Sequence, residues 1–132
     1  MGAKGSISVV PNGVNTERFK IYDLRFKSEK LRGELGFNMG DKIVITTSRL
    51  VPKNGVGDLI EAMRYLPENT KLLICGEGPL LKNLQLTTYN LQLAGQVKFL
   101  GLIAHAELPA YLHASDIFCR PSRSEGMGSS FI

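Results

Sequence analysis

Residues 43–47 (IVITT) form an unbroken apolar and β-branched run. Residues 59–66 instead place Leu59, Ile60, Met63 and Leu66 at i, i+1, i+4 and i+7, an apolar stripe of helical period. The pattern predicts a buried strand, a loop and an amphipathic helix. It recurs along the chain. Short apolar runs at residues 71–75 (KLLIC), 97–100 (VKFL) and 117–120 (IFCR) read as strands. Between them, residues 79–93 and 105–114 read as helices, with Leu80, Leu84 and Leu91 on one face of the first and Leu108, Tyr111 and Leu112 on one face of the second. Pro79 is placed at the first helical position. Strands without apolar–polar alternation are covered on both faces, so the expected fold class is α/β, a Rossmann-like parallel sheet with helices on both faces and right-handed crossovers.

The flanks carry weaker patterns. Residues 6–10 are a short β-rich run closed by the turn Pro11-Asn12-Gly13. Residues 14–24 show no firm period and read as a loop. Residues 25–35 read as a helix, with Leu24, Leu31 and Leu35 on one face and Gly36 at the position that ends it. A further helix is expected to start at Met127. The expected organisation is a single domain over residues 1–132, with 1–13 a lead-in strand and turn and 14–132 the βα units.

Composition changes little: 43% hydrophobic and 21% charged residues describe an ordinary globular chain. No run is long enough to span a bilayer. Cys75 and Cys119 lie in apolar strand runs without metal-ligand spacing, so they read as reduced core thiols and place the chain in the cytoplasm. The net charge is +4, and seven of the sixteen Lys and Arg residues precede Glu34. That bias leaves an anionic ligand or the inner face of a membrane open as a partner. With no aromatic interleaving and no recognised motif, nucleic acid is set aside.

Candidate chemistry collects in three loops that follow strands at one sheet edge, where open α/β sheets bind ligands: residues 48–57, 76–79 and 121–128. They align Arg49, Lys53, Glu77 and Glu125 along one rim beside glycine-rich turns. Two cations near a helix N-terminus suit a phosphate. Solvated loop charges are an equally compatible reading of Arg49 and Lys53 taken alone. Glu125 either accepts hydrogen bonds from sugar hydroxyls or complements the helix that follows, whose backbone N–H groups at Met127, Gly128 and Ser129 suit a phosphate oxygen. Gly76-Glu77-Gly78-Pro79 lacks the G-x-G-x-x-G spacing, and no Walker-type G-x-x-x-x-G-K occurs, which disfavours hydride transfer and P-loop chemistry. His105 reads as a cap or surface residue, His113 as inert, and Asp116 as a backbone acceptor. No Ser–His–Asp order or metal cluster is visible.

With these loops in place, the segments VVPNGVNTERF, TTSRLVPKNGVGDLIEAM, LLICGEGPLLKNL and VKFLGLIAHAELPAYLHASDIFCRPSRSEGMG, in this order, resemble one family. It is the C-terminal, donor-binding half of the retaining GT-B glycosyltransferases, family 4. The resemblance implies a fragment whose parent enzyme transfers a hexose from a UDP- or GDP-sugar with retention, and which alone is inactive. It assigns Arg49 and Lys53 to the donor diphosphate and Glu125 to the sugar hydroxyls, as the first glutamate of E-x7-E. Gly126, Met127 and Gly128 fall to the phosphates, and Gly76, Glu77, Gly78 and Leu100 to the border of the base. It implies a nucleotide-sugar donor as substrate, no cofactor and no metal, and an N-terminal partner domain carrying the acceptor site. Peripheral membrane association of the parent enzyme stays open. Two departures are mild, Ser48-Arg49-Leu50 for Gly-Arg-Leu and Met127 for Phe; a third, Lys53-Asn54-Gly55 for the usual Lys-Gly, sets the lysine one residue earlier and changes its reach. The second glutamate of E-x7-E would fall one position past Ile132. The competing readings are a non-catalytic nucleotide-sugar-binding module, a GT-B nucleotide-sugar epimerase, and a glycan phosphorylase whose cofactor lysine is not found.

Overall fold

A computed structural model of the protein describes Gly13 and residues 15–19 and 21–124. The expected strand at residues 6–10, Pro11 and Asn12 of the turn that follows it, and the helix from Met127 lie outside the described residues. Four parallel strands, β1 (Lys42–Thr47), β2 (Thr70–Cys75), β3 (Val97–Gly101) and β4 (Ile117–Phe118), stand in the order β3-β2-β1-β4. Among the described residues, α1 (Ile21–Glu34) precedes the sheet, and three helices connect its strands: α2 (Val56–Ala62), α3 (Leu81–Asn90) and α4 (Leu108–Ala114). The chain steps from β1 to β2 to β3, then crosses back to lay β4 on the opposite side of β1. β1 and β4 therefore flank the point where the winding reverses.

Side chains of β1 and β2 split by parity into two cores, as the pleat requires. Val44, Leu72 and Ile74 join Val56, Ile60, Met63 and Leu84 beneath α2 and α3. Ile43, Ile45, Leu73 and Cys75 meet Leu35, Phe37, Tyr111 and Leu112 on the other face. Four consecutive buried residues in each of these strands follow from this two-sided cover. Cys75 belongs to one core and Cys119 packs against the other, so the sheet itself separates the two free thiols.

Several elements depart from the sequence reading, each for a tertiary reason. The described part of residues 14–24 is not a loop: a 3-10 turn (Thr16–Phe19) comes before α1, which begins at Ile21 rather than at residue 25. α1 is held from outside. Arg32 donates to the carbonyls of Ala114 and Asp41, at 2.8 and 2.7 Å, and Ser28 Oγ lies 3.1 Å from His113 Nδ1. Docking on α4 therefore supplies what a weak apolar stripe does not. Its end matches expectation: Gly36 has φ +71°, and the N–H groups of Gly36 and Phe37 bond to the carbonyls of Gly33 and Arg32. Lys98 Nζ, donating to the Leu35 carbonyl, closes this terminus further.

α2 tightens into a 3-10 turn (Met63–Tyr65), which turns Leu66 outward to 43% exposure although Ile60 and Met63 remain buried. α3 begins two residues after Pro79, and the Leu80 N–H just before it donates to the Leu50 carbonyl at 3.1 Å. It ends at Asn90, before residue 93. Gln92 takes φ +58°, and Leu93 bonds back to the Thr88 carbonyl at 3.0 Å while packing in the core. A glutamine in the left-handed position carries no sequence signal for a helix end. α4 starts at Leu108 rather than at residue 105, with Pro109 in its first turn. β4 is two residues long instead of four, and pairs only with β1 among the described residues. Asp116 is a backbone acceptor, as expected, but a distant one: its Oδ2 takes the Ile43 N–H at 2.7 Å.

Candidate functional site

The loops leaving β1, β2 and β3 interlock backbone to backbone at the carboxyl edge of the sheet. Leu50, fully buried, roots the β1–α2 loop in the core. Its N–H donates to the Glu77 carbonyl at 2.9 Å, and the Gly76 N–H donates to the Gly101 carbonyl at 2.7 Å. Gly76 has φ +143°, and a Cβ there would stand 1.9 Å from the Ser48 carbonyl oxygen; a Cβ on Gly78 would lie 2.5 Å from that of Leu50. Only glycine fits such approaches. The neighbouring main chain thus accounts for the glycines of this turn, whatever else they meet.

Beyond Leu50, a 3-10 turn (Pro52–Asn54) leads to Gly55 at φ +65° and then α2. Asn54 is buried, and its amide donates to the Arg49 carbonyl at 2.7 Å. Its Oδ1 has no partner among the described residues, the type of buried acceptor that costs about 1–3 kcal/mol. Asn54 thus occupies the inside of the loop, whereas Lys53 beside it is exposed. Arg49, Lys53 and Glu77 are all exposed, and among the described residues their side chains make no hydrogen bond or ion pair. Of the four residues expected along one rim, Arg49, Lys53 and Glu77 stand exposed on the loops after β1 and β2, with two cations unspent. Leu100 differs: it is the extra residue of a β-bulge, since Ile74 pairs with Phe99 and Cys75 with Gly101, and its side chain packs in a core. Glu125, Gly126, Met127 and Gly128 lie outside the described residues.

Two contacts are invisible to the sequence. Arg123 reaches back 65 positions to Asp58, and its own N–H donates to the Lys53 carbonyl at 2.8 Å. Asp58 stands in the first turn of α2, so that helix end already meets a carboxylate of its own chain. Cys75, just under the rim, is no nucleophile at neutral pH, because burial pushes its thiol up to about 11. No group of three or more His, Cys, Asp or Glu residues comes together to hold a metal among the described residues. Nor is any described helix long and apolar enough to cross a membrane.

An open parallel sheet whose winding reverses between β1 and β4 is a Rossmann-like arrangement, and the chain belongs to the group 1 glycosyl transferases, whose family model matches residues 27–132. It is similar to the GDP-mannose-dependent alpha-(1-6)-phosphatidylinositol monomannoside mannosyltransferase of Mycobacterium tuberculosis, with 33% identity over 96% of this chain and 33% of that protein. It is also similar to the alpha-monoglucosyldiacylglycerol synthase of Streptococcus pneumoniae, with 29% identity over 94% of this chain and 29% of that one. Among solved structures, Anabaena HepE in complex with UDP and glucose superposes with a TM-score of 0.83 and 27% identity over 95% of this chain and 34% of HepE. The chain spans about a third of the length of the curated relatives it matches.

Proposed function

We propose that this domain binds the nucleotide-sugar donor of a retaining hexosyltransferase. The observation that carries the reading is the pair of exposed, unpartnered cations, Arg49 and Lys53, on a loop rooted at the switch point between β1 and β4. Relatives named for GDP-mannose, and a structural neighbour holding UDP and glucose, support it. In this reading Arg49 and Lys53 lie against the donor diphosphate. Negative charge grows on that group as the bond from the anomeric carbon to its oxygen breaks. Cations set in place beforehand stabilise that charge more than they stabilise the ground state. Glu125 accepts hydrogen bonds from sugar hydroxyls, and the backbone at Gly126, Met127 and Gly128 meets the phosphates. The Gly76–Gly78 turn, Glu77 and the backbone at Leu100 border the base. The donor is a substrate, and no metal or cofactor is needed for this role. The acceptor is bound by a second domain, which the greater length of the relatives leaves room for. The work takes place in the cytoplasm or at the inner face of its membrane.

The test is a titration of UDP, GDP and ADP, separately, into isotope-labelled protein, following backbone amide shifts. Saturable shifts are expected at Arg49, Lys53 and Gly76–Gly78, strongest for one nucleotide. R49A should weaken that binding at least about tenfold, as expected from losing a hydrogen bond to a charged group worth about 1.5–3 kcal/mol. Silence from all three nucleotides, or shifts confined to another surface, would overturn the reading.

A further inference from the structure

We propose that Arg123 and Asp58 are positioning residues for the donor: their ion pair locks the segment after β4 onto the loop after β1 and holds Lys53 in its binding register. The inference rests on the donor-site reading above and goes beyond it, since neither residue is assigned to touch the ligand. Arg123 Nη2 lies 2.8 Å from both carboxylate oxygens of Asp58, and its Nε lies 3.1 Å from Oδ2. A planar guanidinium set against a carboxylate in this way is a geometry that a lysine ammonium does not reproduce. The backbone is tied in parallel. Besides the Arg123 N–H bond to Lys53, the Pro121 carbonyl oxygen sits 2.1 Å from where a Cβ on Gly55 would be. Side chain and main chain therefore fasten the same two segments, one on each side of the switch point.

Stability alone does not account for the pair. Both side chains are more than half exposed, 64% and 55%, and exposed pairs contribute little to folding. Charge placement does account for it. Asp58 belongs to the helix that directly follows the Lys53 turn, where a lone carboxylate would repel an incoming diphosphate and compete for Lys53. Arg123 neutralises that carboxylate while anchoring its own segment.

The test is a double-mutant cycle of R123A, D58A and R123A/D58A in the full chain. It reads affinity for whichever of UDP, GDP or ADP binds best, together with the exchange rate of the residue-123 amide without nucleotide. Exchange should accelerate about tenfold in either single variant, because the bond to Lys53 opens. R123A should weaken nucleotide binding about three- to tenfold, and D58A less, because it also removes the repelling charge. R123K should recover only part of the loss, and the double variant should bind no worse than R123A. Normal nucleotide binding indifferent to both substitutions, or losses that simply add, would overturn the clamp while sparing the donor reading. Silence of the unsubstituted chain toward all three nucleotides would overturn the donor reading, and with it the role given to the pair.

Discussion

Replacing Gly76 by alanine tests the interlocked rim most directly. At φ +143° an alanine backbone is strained, which costs about 1–3 kcal/mol. Its Cβ would also stand 1.9 Å from the Ser48 oxygen and 2.9 Å from its carbonyl carbon, so one loop must move. That oxygen is main chain at the end of β1, which pairs with β2 up to Thr47 and Cys75, so it cannot swing aside as a side chain would. Overpacking of this kind adds about 1–3 kcal/mol, for a total of about 2–6 kcal/mol out of a native stability of about 5–15 kcal/mol. With a urea dependence of about 1–3 kcal/mol per molar, the unfolding midpoint should fall by about 2 M. Gly57→Ala is the control. It lies in the first turn of α2 with no positive φ, and its Cβ would make only an ordinary 3.7 Å contact with Leu84, so it should gain about 0.4–1 kcal/mol by restricting the unfolded chain. A Gly76→Ala midpoint within about 0.3 M of the parent would refute the close approach of the two loops.

Three further outcomes are expected from thermal and chemical denaturation. Gln92→Gly relieves the left-handed residue that ends α3 and should stabilise by about 0.5–1 kcal/mol; no change would mean that φ +58° is not strained there. Asp116→Ala strands the fully buried Ile43 N–H and should cost about 1–3 kcal/mol, whereas a surface-like effect below about 0.5 kcal/mol would contradict that bond. The Cys75 thiol rises from 9.0 unfolded to about 11 folded, because burial penalises the thiolate. A raised value leaves its contribution intact below pH 9, and between pH 9 and about 11 only the unfolded chain releases the proton. Stability should therefore fall by about 2–3 kcal/mol across that window, and Cys75→Ala should remove this alkaline limb whatever its cost at neutral pH.

Much of this protein was legible in the one-dimensional pattern. The buried runs at residues 43–47 and 71–75, the alternation of strands with helices and the parallel sheet all follow from two-sided burial, which leaves a local record of apolar residues. Glycine at position 36 marked a helix end for an equally local reason, its tolerance of positive φ. The candidate site was legible only as residue types in loop positions, of which Arg49, Lys53 and Glu77 stand exposed on the loops after β1 and β2. Tertiary structure alone decided the rest. It placed β4 beside β1, drew α1 back to Ile21 by docking it on α4, and ended α3 on a glutamine. It also explained Gly76 and Gly78 by the chain lying against them, sent the Leu100 side chain into a core, and joined Arg123 to Asp58. These outcomes depend on groups that are distant in sequence and meet only once the sheet has formed. Hydrophobic periodicity records whether a residue is buried, and carries no information about which neighbour buries it.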